Sequence, residues 1–204
     1  MAARLLHAES NFGKQLDSLS DLVTSGVVPG IVVYQLFKLS GNRVLDFDLN
    51  SFINPIFNLD LVFSISPVAF IAFLITLGSA VRLAKFNTND YTDEFEGLPT
   101  PANALFFVAF PLLIDHVYLV ESKEYLLNNY TLITLTISSV ILMNIPFRLF
   151  SLRMSLRKHD YNIFKILTIF LSIPLILIFG LGGFSLVIIL YLFLNVIRNL
   201  WSLI

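Results

Sequence analysis

Residues 1–30 read MAARLLHAESNFGKQLDSLSDLVTSGVVPG, a charged and polar segment that leads into an apolar run. Within it, Gly13, Asp17 and Asp21 follow one another at intervals of four residues. On an α-helix this spacing places all three on one face. A glycine lets a ligand approach the backbone, and carboxylate oxygens suit a divalent cation. The pattern therefore predicts a site for a cation and its bound phosphates at the mouth of a membrane-spanning helix.

The composition of the whole chain is strongly apolar. Of its 204 residues, 56% are hydrophobic and 13% are charged, and the mean hydropathy is +0.81. Such values are typical of an integral membrane protein and far from those of a soluble domain. The net charge of -1 argues against a nucleic-acid partner. Because the sequence contains no cysteine, disulfides and thiolate metal sites are excluded.

Six apolar segments are long enough to cross a hydrocarbon core about 30 Å thick, which needs roughly 20 helical residues. Pro29 and Gly30 predict a kink or a loosened helix in the first, and the glycines of 180–183 predict a tight turn between the last two. We expect an all-α integral membrane protein with one membrane domain over residues 1–204. The first span lies in 1–39 and five more lie in 40–204. The predicted spans are 16–39, 61–83, 102–120, 130–150, 163–179 and 184–201.

The distribution of positive charge predicts the orientation of these spans. Lys and Arg accumulate on the cytoplasmic side of short membrane loops. Here nine of the thirteen lie before the first span, after the second and after the fourth, which are alternate loops. Both termini and the predicted cation site are therefore expected on the cytoplasmic side. The residues concerned are Arg4, Lys14, Arg82, Lys85, Arg148, Arg153, Arg157, Lys158 and Lys165.

Five positions near the start of the chain form the pattern A-R-x8-G-x3-D-x3-D, from Ala3 to Asp21. This pattern resembles the second half of the signature D-x-x-D-G-x-x-A-R-x8-G-x3-D-x3-D of the CDP-alcohol phosphatidyltransferases. Two further stretches, R-L-A-K-F-N at 82–87 and G-L-P-T-P-A at 97–102, resemble the R-L-A-R-F-N and G-L-P-x-P-A of the bacterial serine branch of that family. The remainder of the chain agrees with the family only in its pattern of spans.

The resemblance is incomplete at its upstream end. The D-x-x-D-G half of the signature would precede Met1, and the family usually has two helices before this point. The six spans would then be the remainder of an eight-helix fold, as in a family member that lacks its first quarter or fifth. Since two of the four family aspartates are not in this sequence, we expect weak or absent turnover from the chain as given.

The resemblance implies a reaction and roles for particular residues. The reaction is transfer of a phosphatidyl group from CDP-diacylglycerol to L-serine, with Mg²⁺ or Mn²⁺ as cofactor, by a homodimer in the bacterial cytoplasmic membrane. Asp17 would be a metal ligand, and Asp21 both a metal ligand and the base toward serine. Nucleotide contacts would come from Ala3, Arg4, Gly13 and Asp17. Contacts to a lipid phosphate or to serine would come from Arg82, Lys85, Asn87 and Arg148.

Other interpretations of the same residues stay open. Acidic residues in the first turns of a helix are favoured by its dipole, and basic residues beside a span are ordinary flanking charges. Within the family, glycerol phosphate or inositol phosphate could replace serine as the acceptor. A transporter or channel would carry charges near the middle of its spans, and the second, fourth, fifth and sixth spans carry none there. A catalytically inactive membrane subunit is a further alternative.

Overall fold

The computed structural model describes residues 10–40, 47–48, 64–65, 67–88, 95–146, 148–149 and 162–201. These residues form an all-α membrane protein, which confirms the predicted fold class. Its α-helices are α1 (Asn11–Leu22), α2 (Val28–Leu39), α3 (Leu74–Thr88), α4 (Thr100–Ile114), α5 (Lys123–Leu126), α6 (Asn129–Asn144), α7 (Asn162–Phe179) and α8 (Gly183–Trp201). Shorter 3-10 segments are Pro67–Phe73, Val117–Ser122 and Gly180–Gly182. Two antiparallel strand pairs of two residues each join β1 (Phe47–Asp48) to β2 (Ser64–Ile65) and β3 (Phe95–Glu96) to β4 (Arg148–Leu149).

The predicted irregularity in the first span is a π-helical segment, Val23–Val27, that joins α1 to α2. Pro29 follows it closely, and proline has no amide hydrogen to donate to the carbonyl one turn earlier, that of Ser25. The hydroxyl of Ser79 on α3 donates to this carbonyl instead, at 3.4 Å. In hydrocarbon, carbonyls released by proline need such a partner from a neighbouring helix. The π-helical segment is therefore also the point where α3 is attached.

The predicted count of six spans is not confirmed. Three helical runs of the described residues are long and apolar enough to cross a membrane, Gln15–Leu39, Val68–Asn87 and Ile163–Asn199. A fourth is added if Thr100–Ile114 and Val117–Leu126 are taken together. The third run contains Gly180, whose φ is +57°, and α7 packs against α8, so this run is a helical hairpin. At 16 residues, α6 is shorter than the other candidates.

The boundaries of the third and fourth spans were predicted too far along the chain. α4 ends at Ile114, and the next helical segment is bent by 95° from it, so the third span does not continue straight to residue 120. α6 ends at Asn144, and Ile145 is extended with ψ 139°. Pro146 explains that ending, because a residue before proline is disfavoured in the helical region. The fourth span therefore does not reach residue 150.

The second span begins and ends later in the chain than predicted. Ser64–Ile65 form a strand, so the helix does not begin at residue 61. The α-helix continues to Thr88, beyond the predicted end at residue 83. The side chains of Arg82, Lys85 and Asn87 consequently project from the last turns of a continuous helix.

α4 is the central helix of the described structure. It packs against α2, the π-helical segment and α8, and its Phe107 is almost fully buried in the core. At one end of α4, a Cβ atom on Gly182 would lie 2.6 Å from the amide nitrogen of Leu113, so the hairpin turn touches α4 closely. The Ser185 hydroxyl of α8 donates to the Phe106 carbonyl at 2.7 Å. α8 is thus antiparallel to α4.

Candidate active site

The two predicted carboxylates lie on α1. Ser10 begins this helix, since its hydroxyl accepts a 3.0 Å hydrogen bond from the amide of Gly13, which is a favourable N-terminal cap. Gly13, Asp17 and Asp21 are all exposed. The predicted helix is confirmed, and at intervals of four its geometry places the three residues on a common face. That face is open to a ligand.

A hydrogen bond ties the end of α3 to this carboxylate-bearing helix. The Asn87 amide donates to the hydroxyl of Ser18 at 2.8 Å. Ser18 directly follows Asp17, so the bond brings the last turn of α3 beside the predicted site. The contact of Asn87 to substrate, which the sequence analysis assigned, stays a prediction. Sequence reasoning missed Ser18, whose only signal was its position between the two aspartates.

Arg82 lies further back on α3 and contacts the end of α6. Its Nη1 donates to the Met143 carbonyl at 2.6 Å. The last carbonyls of an α-helix have no intrahelical donor, so Arg82 caps the C-terminus of α6. Asn87 is the fifth residue after Arg82, a spacing that corresponds to about 7.5 Å along a helix axis. Arg82 and the Ser18–Asn87 bond therefore belong to the same end of the molecule.

The second serine-branch stretch, beginning at Gly97, lies against the same helix end. The Leu98 amide donates to the Leu142 carbonyl at 2.9 Å. Gly97 has φ +68°, and a Cβ atom there would lie 2.6 Å from the Met143 carbonyl oxygen and 2.9 Å from Nη1 of Arg82. Only glycine fits this backbone conformation and this space without strain. The structure thus brings the stretches 82–87 and 97–102 into contact.

The remaining predicted site residues are placed less fully. Lys85 is exposed on the last turns of α3. Arg148 lies on β4, where its backbone is paired in register with Glu96, next to Gly97. Ala3 and Arg4 lie outside the described residues. The catalytic, metal-binding and substrate-binding roles assigned from the sequence stay predictions.

The residues present fit part of a divalent-cation site. No group of three or more His, Cys, Asp or Glu side chains that could hold a metal occurs in the described parts of the chain. Asp17 and Asp21 nevertheless offer exposed carboxylate oxygens one helical turn apart, and these are the ligands that hard cations prefer. A cation bound there would take its other ligands from substrate phosphate oxygens, water or carboxylates beyond the described residues.

Comparison with known proteins identifies the family of the chain. Residues 1–143 match the sequence model of the CDP-alcohol phosphatidyltransferase family. This match spans well over half of the 204 residues. The chain belongs to the CDP-alcohol phosphatidyltransferase family. Its members are phosphotransferases that generally depend on a divalent metal, and the α7–α8 hairpin lies beyond the matched residues.

Several curated relatives carry the name CDP-diacylglycerol–serine O-phosphatidyltransferase. The protein of Helicobacter pylori is 25% identical over 205 residues, covering 99% of this chain and 73% of that protein. The protein of Methanocaldococcus jannaschii is 34% identical over 120 residues, covering 59% of this chain and 46% of the relative. The protein of Bacillus subtilis is 53% identical over 36 residues, or 18% of this chain and 20% of the relative.

Proposed function

We propose that this protein transfers a phosphatidyl group from CDP-diacylglycerol to L-serine, giving phosphatidylserine and CMP. The observation that carries the proposal is the Asn87–Ser18 hydrogen bond of 2.8 Å, because it joins the R-L-A-K-F-N stretch to the aspartate-bearing helix. The names of the relatives and the contact between Arg82 and Gly97 support serine as the acceptor.

In the proposed reaction, the serine hydroxyl oxygen attacks the β-phosphorus of CDP-diacylglycerol. A new phosphorus–oxygen bond forms, and the bond from that phosphorus to the bridging oxygen breaks, so that CMP leaves with the bonding electrons. The Asp21 carboxylate accepts the hydroxyl proton as general base, a role worth about 10² to 10⁴ in rate. A divalent cation held by Asp17 and Asp21 would neutralise phosphate charge when bound.

Other groups of the same end have positioning roles in this proposal. Gly13 leaves the face of α1 open beside Asp17, so that a nucleotide can lie against the backbone. Arg82 and Lys85 provide positive charge toward the lipid phosphate or the serine carboxylate. Asn87 holds α3 beside α1. We further propose that this end of the protein faces the cytoplasm in a bacterial inner membrane, and that the protein is a homodimer with one membrane domain per chain.

The test is release of CMP from CDP-diacylglycerol in the presence of Mg²⁺ or Mn²⁺. Serine, glycerol phosphate and inositol phosphate are compared as acceptors, using the chain as given and a form extended upstream by the D-x-x-D-G segment. We expect turnover with serine in the extended form. Turnover with another acceptor instead would contradict the serine assignment, and no turnover with any acceptor would favour an inactive membrane subunit.

A matched pair of substitutions tests the role of Asp21. Asp21→Asn in the extended form removes the base, and we expect turnover to fall at least about 100-fold. Asp115→Asn is the control, because Asp115 is also exposed but lies at the opposite end of α4, in a 2.6 Å ion pair with Lys123. Equal losses from both variants, or unchanged turnover in Asp21→Asn, would overturn the assignment.

A further inference from the structure

A group of polar side chains is buried between α4 and α6, outside the residues to which a role was assigned above. Asn103 on the first turn of α4 is 1% exposed, and Thr136 on α6 is 0% exposed. The hydroxyl of Ser139 donates to Oδ1 of Asn103 at 2.7 Å, so the oxygen of that side-chain amide has a partner. Within the described residues, Nδ2 of Asn103 and Oγ1 of Thr136 have no hydrogen-bond partner.

Ser139 relates the positions of these two atoms. Thr136 and Ser139 are three residues apart on α6, and such positions have Cβ atoms about 5–6 Å apart on one helix face. Since Ser139 is bonded directly to Asn103, the Thr136 hydroxyl lies one helical turn from the same amide. Leaving a buried polar atom without a partner is costly in any protein interior and more so at membrane depth. Two such atoms about one helical turn apart indicate that something small and polar binds between them.

We propose that α4 and α6 enclose a binding site for a single hydroxyl-type oxygen, held by the Asn103 amide and the Thr136 hydroxyl. A water molecule or the hydroxyl of a small alcohol both donates and accepts, so either satisfies the two groups in whichever orientation the amide takes. The shared chemistry is one oxygen with at least one hydrogen.

The location gives this site a connection to the proposed reaction. Asn103 directly follows the G-L-P-T-P-A stretch, and its backbone N–H donates to the Pro99 carbonyl at 3.0 Å. Ser139 lies one turn before Met143, the residue whose carbonyl Arg82 caps. α4 also packs against Val23–Val27, the segment that follows Asp21. A bound oxygen would therefore hold the first turn of α4 at the same end as the aspartates.

The test is a double-mutant cycle on the thermal unfolding midpoint of the full chain in lipid nanodiscs, without and with serine. Thr136→Val removes the hydroxyl at constant shape, and Asn103→Leu removes the amide. The two groups make no direct hydrogen bond to each other, so coupling that depends on the Thr136 hydroxyl reports a bridging atom. For a bound oxygen, Thr136→Val lowers the midpoint by roughly 3–6 °C, and the double variant loses less than the sum of the single variants.

Three further variants make the outcome specific. Thr136→Ser keeps the hydroxyl and restores the coupling if hydrogen bonding is its cause. Ser139→Ala breaks a direct protein hydrogen bond and lowers the midpoint whether or not the oxygen is present. Thr134→Val lies on the exposed side of the same helix, where its hydroxyl donates to the Tyr130 carbonyl, and it leaves the midpoint nearly unchanged.

The two sources of the oxygen give different results. Coupling already present without serine identifies a bound water molecule, and this result does not depend on the proposed function. Coupling that appears only with serine identifies the acceptor hydroxyl and rests on the proposed function. In that case Thr136→Val also raises KM for serine more than it lowers kcat. Absence of coupling in both conditions, with a neutral or stabilising Thr136→Val, overturns the proposal even if the wild-type chain uses serine.

Discussion

Replacing Gly97 by alanine is expected to destabilise the protein through two separable effects. At φ +68° a residue with a Cβ atom is strained, and the left-handed conformation costs it about 1–2 kcal/mol. The new atom would also lie 2.6 Å from the Met143 carbonyl oxygen, 2.9 Å from Arg82 Nη1 and 3.0 Å from the Ile145 carbonyl oxygen. Crowding of a packed interior typically costs about 1–3 kcal/mol. Together these effects amount to about 2–5 kcal/mol.

Gly180 provides the matched control for this prediction. Its φ is +57°, but a Cβ atom there would have nothing within 4 Å. Gly180→Ala should therefore show only the conformational cost of about 1–2 kcal/mol. The difference of about 2 kcal/mol corresponds to a lowering of the unfolding midpoint by about 4–8 °C for Gly97→Ala relative to Gly180→Ala. Thermal unfolding in nanodiscs measures both midpoints.

The same pair of variants separates stability from activity. Gly97→Ala displaces the stretch that contacts Arg82 and α6, so in the upstream-extended form its turnover at a temperature well below both midpoints should also fall. Gly180→Ala lies at the far end of α4 and should keep its turnover. Because the nearest atom to the new methyl group is a backbone oxygen, shortening Arg82 should not rescue Gly97→Ala. An equal or larger destabilisation by Gly180→Ala would show that the crowding argument is wrong.

Two further variants test the ends of the helices. Arg82→Gln should destabilise the chain by about 1–3 kcal/mol, because it removes the charged donor to the last carbonyls of α6, while Arg82→Lys should cost less; unchanged unfolding midpoints in both would refute the cap. The segment Val117–Leu126 is bent 95° from α4 and exposes Val117 and Tyr118, so it should lie along the membrane interface, where tyrosine is enriched. Tyr118→Trp combined with Trp201→Phe should accordingly be quenched by lipids brominated near the headgroup and not by lipids brominated near the end of the acyl chain.

Local patterns were sufficient to predict the helix that carries Asp17 and Asp21. The spacing of Gly13, Asp17 and Asp21 predicted a common helical face, and the hairpin turn followed from its glycines. Pro146 also carried a local signal that should have ended the fourth span at the preceding residue. The bend after Ile114 had no such signal, since Asp115 and His116 are compatible with a continuing helix.

Contacts between distant parts of the chain could not be predicted. Arg82 and Met143 are 61 residues apart, and Ser18 and Asn87 are 69 residues apart. Neither pair differs in composition from ordinary polar or flanking residues, because the partner in one case is a backbone carbonyl and in the other a serine. Periodicity specifies which face of a helix is apolar, but it does not specify which residue of another helix lies opposite.

Arg82 has two interpretations from the sequence, as a substrate contact and as an ordinary flanking charge, and the structure adds a third, a cap on α6. A guanidinium has five N–H donors in a fixed fork, and the bond to the Met143 carbonyl uses one of them. That bond fixes the orientation of the planar guanidinium, which the ammonium of a lysine in the same place would not share. The cap on α6 is a structural role, and the contact to a lipid phosphate or a serine carboxylate stays a prediction. The two roles differ in what they predict for Arg82→Lys, since a lost fork impairs KM even where the helix end stays intact.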